Sequence, residues 1–144
     1  MKSNTLVIMT IAVVIGAFTL IFLNLSPFFS ASEKNTYIAM NNVRGAAVIY
    51  KQKPYTLNFE QQTKLIDIMN RAVLVKKSDY AKEKKTFSFD EILIYPFAGS
   101  PIELKPIDAV ERNIVFSVPL WSQDYYLMEL SAGSLQDLID STHD

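Results

Sequence analysis

Ile92-Leu93-Ile94-Tyr95-Pro96-Phe97 is an almost unbroken apolar run of strand length, and the chain after it decides the fold. A run of this length reads as a central strand buried on both faces. Ala98-Gly99-Ser100-Pro101 is turn chemistry. Ile102, Leu104 and Ile107 follow, with Glu103 and Lys105 between the first members, so one face of this second strand is buried and the other is wet. Glu111-Arg112-Asn113 turns the chain again. Ile114, Phe116 and Val118 then alternate with Val115 and Ser117, Leu120 to Gln123 forms another turn, and Tyr125 to Leu130 is the last strand. Links this short join antiparallel neighbours, which predicts a four-stranded meander.

Upstream, Asn58 is a helix N-cap and Gln61 completes a capping-box pattern. Leu65, Ile66, Met69, Ala72 and Val73 recur at helical spacing, with Glu60–Lys64 and Asp67–Arg71 as i,i+4 pairs on the solvent side. The pattern predicts a helix from Phe59 to about Leu74, followed by a charged loop from Lys76 to Lys85. Tyr37–Met40 and Ala46–Tyr50 are β-prone, with Asn41-Asn42 and Gly45 between them, and form a hairpin or one bent strand. Tyr55–Leu57 extends the sheet, and Pro54 marks an edge or a break. Downstream, Ser134 caps a short helix with Asp137 at the capping-box position and Leu135, Leu138 and Ile139 as its apolar face; the tail from Ser141 frays.

These elements assemble as an α+β domain over residues 36–144: a twisted antiparallel sheet with one long helix on one face and a short C-terminal helix. If Ile92 and Ile94 face the long helix, then Leu93, Tyr95 and Phe97 make the second face apolar as well. Its cover comes from the terminal helix, the early strands or a partner, a second copy included.

Leu6 to Leu25 holds no charged residue. Twenty helical residues span roughly 30 Å, the thickness of a bilayer core. Residues 1–25 therefore read as a transmembrane or signal helix and residues 26–35 as a linker. A signal peptide carries a shorter apolar run of about 7–15 residues before small residues. The length here favours an uncleaved anchor, with cleavage after Ser32 and secretion as the alternative. Lys2 and the terminal amine precede the span, which puts the domain on the periplasmic or extracellular side.

The composition excludes several chemistries. There is no cysteine, so disulfides, thiolate metal sites and Cys-His catalysis are out. The one histidine, His143, lies next to the C-terminus, where it has no held geometry for general-base work. No Gly-rich phosphate cradle and no calcium-loop spacing is present. With 14 Lys+Arg against 15 Asp+Glu, the chain lacks the basic footprint of a nucleic-acid binder. The basic run Lys76, Lys77, Lys82, Lys84, Lys85, broken by Asp79 and Glu83, is a solvated loop or an anionic docking patch.

No catalytic residue, metal ligand, nucleotide site or cofactor is identified. Of the carboxylates in the meander (Asp90, Glu91, Glu103, Asp108, Glu111, Asp124 and Glu129), Glu103 and Glu129 are the pair to consider for an envelope-glycan hydrolase. The stronger candidate is aromatic: Leu120, Trp121, Tyr125 and Tyr126 at a hairpin tip form a partner contact, provided Trp121 is displayed and not tucked over the sheet edge. Tyr50, Tyr55 and Tyr95 are possible extensions of that surface. The leading expectation is a non-enzymatic, membrane-tethered binding or assembly domain. Its partners are the lipid bilayer, through Leu6 to Leu25, and another envelope protein or a second copy. A secreted enzyme inhibitor inserting the Leu120–Gln123 loop is a further alternative. Intact-mass measurement of the protein from separated membrane and soluble fractions tests the anchor: the expected result is full-length chain in the membrane fraction. A soluble form beginning at Glu33 would mean a cleaved signal.

Overall fold

Strand pairing arranges the chain around its longest strand. The computed structural model describes residues 37–80, 83 and 85–142. The expected membrane segment Leu6–Leu25, the linker and His143 lie outside the described residues. The elements are β1 (Val43–Tyr50), β2 (Lys53–Thr56), α1 (Phe59–Asn70), β3 (Val73–Lys76), β4 (Glu91–Pro96), β5 (Ile102–Val110), β6 (Asn113–Ser117), β7 (Tyr125–Met128) and α2 (Ser134–Asp140). The seven strands form one antiparallel sheet in the order β2-β1-β4-β5-β6-β7-β3. The predicted meander is β4 to β7, in sequence and in space.

β5 pairs with β4 through Ile102–Leu104 and with β6 through Lys105–Val110. Its register shifts between Pro106 and Asp108, where a bulge suits the residue that has no N–H to give to the ladder. Alternation fixes the core face. Ile92 and Ile94 of β4, Ile102 and Leu104 of β5, and Ile114 and Phe116 of β6 are all buried in one cluster with Leu65, Met69, Leu135 and Ile139 of the helices. Phe89, in the segment leading into β4, stacks obliquely on Phe116 with ring centroids 6.4 Å apart.

Tyr37–Ala39 and Ala46–Tyr50 do not make a hairpin. A 3₁₀ turn at Met40–Asn42 leads into the single strand β1, with a register shift at Gly45. β1 turns into β2 through Lys51 and Gln52, both at positive φ (48° and 64°), as a two-residue type I′ hairpin requires. Pro54 sits in β2, which is an edge of the sheet.

The capping box at α1 is formed. The Gln61 N–H donates to Asn58 Oδ1 (2.9 Å) and the Asn58 N–H donates to Gln61 Oε1 (3.0 Å). The helix stops at Asn70, short of the expected Leu74. Arg71 and Ala72 N–H groups bond three residues back, to Ile68 and Met69 carbonyls, which tightens and ends the last turn. The Asn70 amide instead clamps the entering chain, accepting from the Ile38 N–H (2.7 Å) and donating to the Ile38 carbonyl (2.9 Å). Val73–Lys76 then pairs with β7. Long-range pairing overrides the helical periodicity that Ala72 and Val73 continue.

Ser134 is the first helical residue of α2 and not its cap. The N-cap is Gly133 at φ 100°, where a side chain would also run into the Arg112 guanidinium. Ser131 supplies the capping oxygen, accepting from the Leu135 N–H (3.0 Å).

Glu129 is fully buried, and its carboxylate is a structural pin. One oxygen accepts from the Ile114 N–H (2.8 Å) and the other from the Ser131 N–H (2.7 Å), while the Glu129 N–H donates to the Ile114 carbonyl (3.1 Å). The side chain thus satisfies the start of β6 and the turn into α2. Glu129→Ala leaves both donors unmatched and should cost roughly 3 kcal/mol in urea unfolding followed by the fluorescence of the sole tryptophan, Trp121. Asn58→Ala, at an exposed cap, should cost only about 1 kcal/mol.

Candidate functional site

Sheet order leaves two edge strands, and the sequence protects them unequally. β2 reads Lys53-Pro54-Tyr55-Thr56. Its proline offers no donor, a device that discourages strand addition and that β3 lacks. β3 reads Val73-Leu74-Val75-Lys76, with no proline and no bulge. Val73 is 39% and Leu74 37% exposed, although both are apolar. β7 is its one strand neighbour among the described residues.

Register sets what flanks this edge. Val73 lies opposite Met128, Leu74 opposite Leu127, Val75 opposite Tyr126 and Lys76 opposite Tyr125. Leu127 belongs to the core. Leu74, Lys76 and Tyr125 therefore sit on the core side of the sheet, beyond the helices' cover, and Val73, Val75 and Tyr126 on the other side. The Lys77 ammonium donates to the Gln123 carbonyl and lies 5.2 Å from the centre of the Tyr126 ring. That contact ties the β6–β7 loop to the end of β3.

The loop itself separates the residues expected at its tip. The Trp121 and Ser122 N–H groups both donate to the Val118 carbonyl, at 3.0 and 3.1 Å. Ser122 Oγ accepts from the N–H groups of Asp124 (3.2 Å) and Tyr125 (3.1 Å). This tight turn folds Trp121 inward, where it is 8% exposed and part of the core cluster, and leaves Leu120 57% exposed. Of the four expected contact residues, Leu120 and Tyr125 are displayed, Tyr126 is half-buried under Lys77, and Trp121 is packed. Tyr50 and Tyr55 pair edge-to-face at 6.3 Å on the β1–β2 hairpin, at the opposite edge of the sheet from β3.

The carboxylates do not assemble a hydrolytic pair. Glu103 is on β5 opposite Leu93, exposed, and bridged to Lys105 (2.9 Å). Glu129 follows β7 on the core side, with both oxygens committed to backbone donors. β6 separates the two strands, and the side chains point to opposite faces. Lys105 also lies 3.8 Å from Glu91, and its pKa is raised, chiefly by the hydrogen bond to Glu103 and then by that carboxylate's charge. This triad, with Glu91 half-buried, crosses the second face beside half-buried Leu93 and Tyr95. A cleft of about 380 Å³ lies between residues 85–88, the β5–β6 turn and the start of α2, with Phe87 and Ile114 among its walls. Its cations are already engaged: Lys85 pairs with Asp108 (2.5 Å) and Arg112 with Asp137 (3.4 Å). No cluster of three or more potential metal ligands occurs among the described residues.

No protein-family model matches the chain, and no curated protein or solved structure matches it. The geometry is therefore the whole basis for the site. Sequence reasoning missed β3, whose first residues it read as the end of the long helix. Its one local signal was the pair of β-branched residues at Val73 and Val75. Trp121→Ala should lower stability by about 3–5 kcal/mol as a core truncation, whereas Leu120→Ala should stay within about 0.5 kcal/mol of the parent. Urea unfolding read by circular dichroism distinguishes the two.

Proposed function

We propose that this chain is a membrane-tethered, non-enzymatic binding or assembly domain on the extracytoplasmic side, and that its partner contact is the β3 edge with Leu120 and Tyr125 beside it. The observation that carries the reading is the exposed apolar edge β3, which has one strand neighbour among the described residues. An apolar strand with an open backbone row is a template for another chain, and folded proteins ordinarily blunt such edges. Proline interrupts the β2 edge, whereas β3 carries none and pairs with β7 alone among the described residues. The uncharged stretch Leu6–Leu25 supports the tether. Lys2, ahead of that stretch, supports the orientation. The separation of Glu103 from Glu129, whose oxygens are both held by backbone donors, favours binding over catalysis.

Site-specific photocrosslinking in cells tests it. A benzophenone amino acid at position 74 or 120 is expected to give a discrete adduct in the membrane fraction, and the same probe at position 53 on the β2 edge is expected to give none. Leu74→Lys should abolish the adduct formed from position 120 while leaving the circular dichroism spectrum unchanged. Equal adducts from position 53, or none from 74 and 120, would overturn the assignment.

A further inference from the structure

Resting on that reading of the β3 edge, we infer that its occupant is an extended, acidic segment of a partner protein, added as an eighth strand with its carboxylates beside Lys76.

The side chains along β3 specify more than a generic strand. An incoming strand continues the two rows that β3 and β7 already form. On one side it meets Val73 and Val75, backed by Met128 and Tyr126. On the other it meets Leu74 and then Lys76, backed by Leu127 and Tyr125. Three of the four positions reward apolar neighbours, and the fourth rewards a carboxylate.

Lys76 is the available cation. It is exposed, and it makes no ion pair among the described residues. Its neighbours are committed elsewhere: Lys77 holds the Gln123 carbonyl, and Lys85 holds Asp108 and the Ala109 carbonyl. The nearest carboxylate along the chain is Asp79. Asp79 accepts a hydrogen bond from the Ser78 hydroxyl (3.0 Å). Lys76 thus puts an exposed positive charge at one end of the edge, which gives the incoming strand a direction as well as a composition. A second copy of this chain is the poorer occupant. Its own β3 carries Lys76 and no carboxylate, so pairing two copies leaves both ammonium groups unmatched.

The test uses the full-length protein in phosphatidylcholine nanodiscs and two dye-labelled synthetic peptides of opposite polarity, Asp-Asp-Ile-Thr-Val-Thr-Val and its reverse. Saturable binding of one polarity is expected. Replacing both aspartates with lysine should weaken it about two- to fivefold for each pair lost. Lys76→Glu should reverse that preference, an outcome that mere loss of structure would not produce. N-methylation of alternate peptide amides should abolish binding, because it removes the donors a ladder needs. No saturable binding of either peptide up to about 1 mM would overturn the inference. So would equal binding of acidic and basic peptides, or a preference unmoved by Lys76→Glu. Sedimentation of two copies per nanodisc with the peptide excluded would assign the edge to self-association instead. None of these results alters the crosslinking from positions 74 and 120, so the edge and the identity of its occupant fail separately.

Discussion

The sheet exists as one piece because β5 is paired along different halves of its length. Ile102–Leu104 holds β4, and with it β1 and β2; Lys105–Val110 holds β6, and with it β7 and β3. The register shift at Pro106–Asp108 lies within the half that holds β6. A bulge there bends the strand and increases its twist. It also sets which β5 residues share the core side, since Pro106 before it lies opposite Phe116 and Ala109 after it lies opposite Ile114, both buried in the same cluster. Without that offset, Asp108 in place of Ala109 would lie opposite Ile114 on the core side.

α1 is the second constraint. It leaves the β2 edge and delivers the chain to the β3 edge, across the full width of the sheet. Twelve helical residues cover about 18 Å, and seven flat strands would span about 29 Å. Only residues 57–58 and 71–72 make up the difference, so the tie has little slack. It explains why the helix ends abruptly at Asn70: the chain must become extended at once to reach its place beside β7. It also explains why both outer strands are short. Each is the landing point of a taut crossover, and the residues needed to lengthen it are used in the crossing.

What was legible in the sequence was what local chemistry determines. Asn58 and Gln61 announced the start of α1, Pro54 announced an edge, and the alternation through Ile102–Lys105 gave the inward face of β5 correctly. What was illegible depended on partners far along the chain. Val73 continues the helical stripe of Leu65, Ile66 and Met69, and only β7, about fifty residues later, claims it for the sheet. Ser134 resembles a cap, but the left-handed turn at Gly133 moves that role to Ser131. Glu129 reads as a wet strand residue, as charged residues mostly are, because nothing nearby reveals that the Ile114 N–H needs an acceptor. Trp121 had two readings, and the Val118 carbonyl, by drawing the turn tight, decided between them.

An open edge is a liability as well as a site, and the features of β3 limit the liability without removing the site. Its four residues offer only a short outward row of backbone groups, too few to hold an arbitrary strand firmly. Lys76 repels strands that bring another cation to the same place, a second copy's β3 among them. Selectivity then follows from the same lysine that suppresses aggregation, since the segments it discourages least are acidic ones. The edge is also held in shape before any partner arrives: α1 pulls on its start, and Lys77, anchored to the Gln123 carbonyl and stacked over Tyr126, fixes its end. A strand fixed at both ends loses little further freedom on pairing, which lowers the entropic cost of binding. A short edge can therefore recognise a partner even though the hydrogen bonds it offers are few.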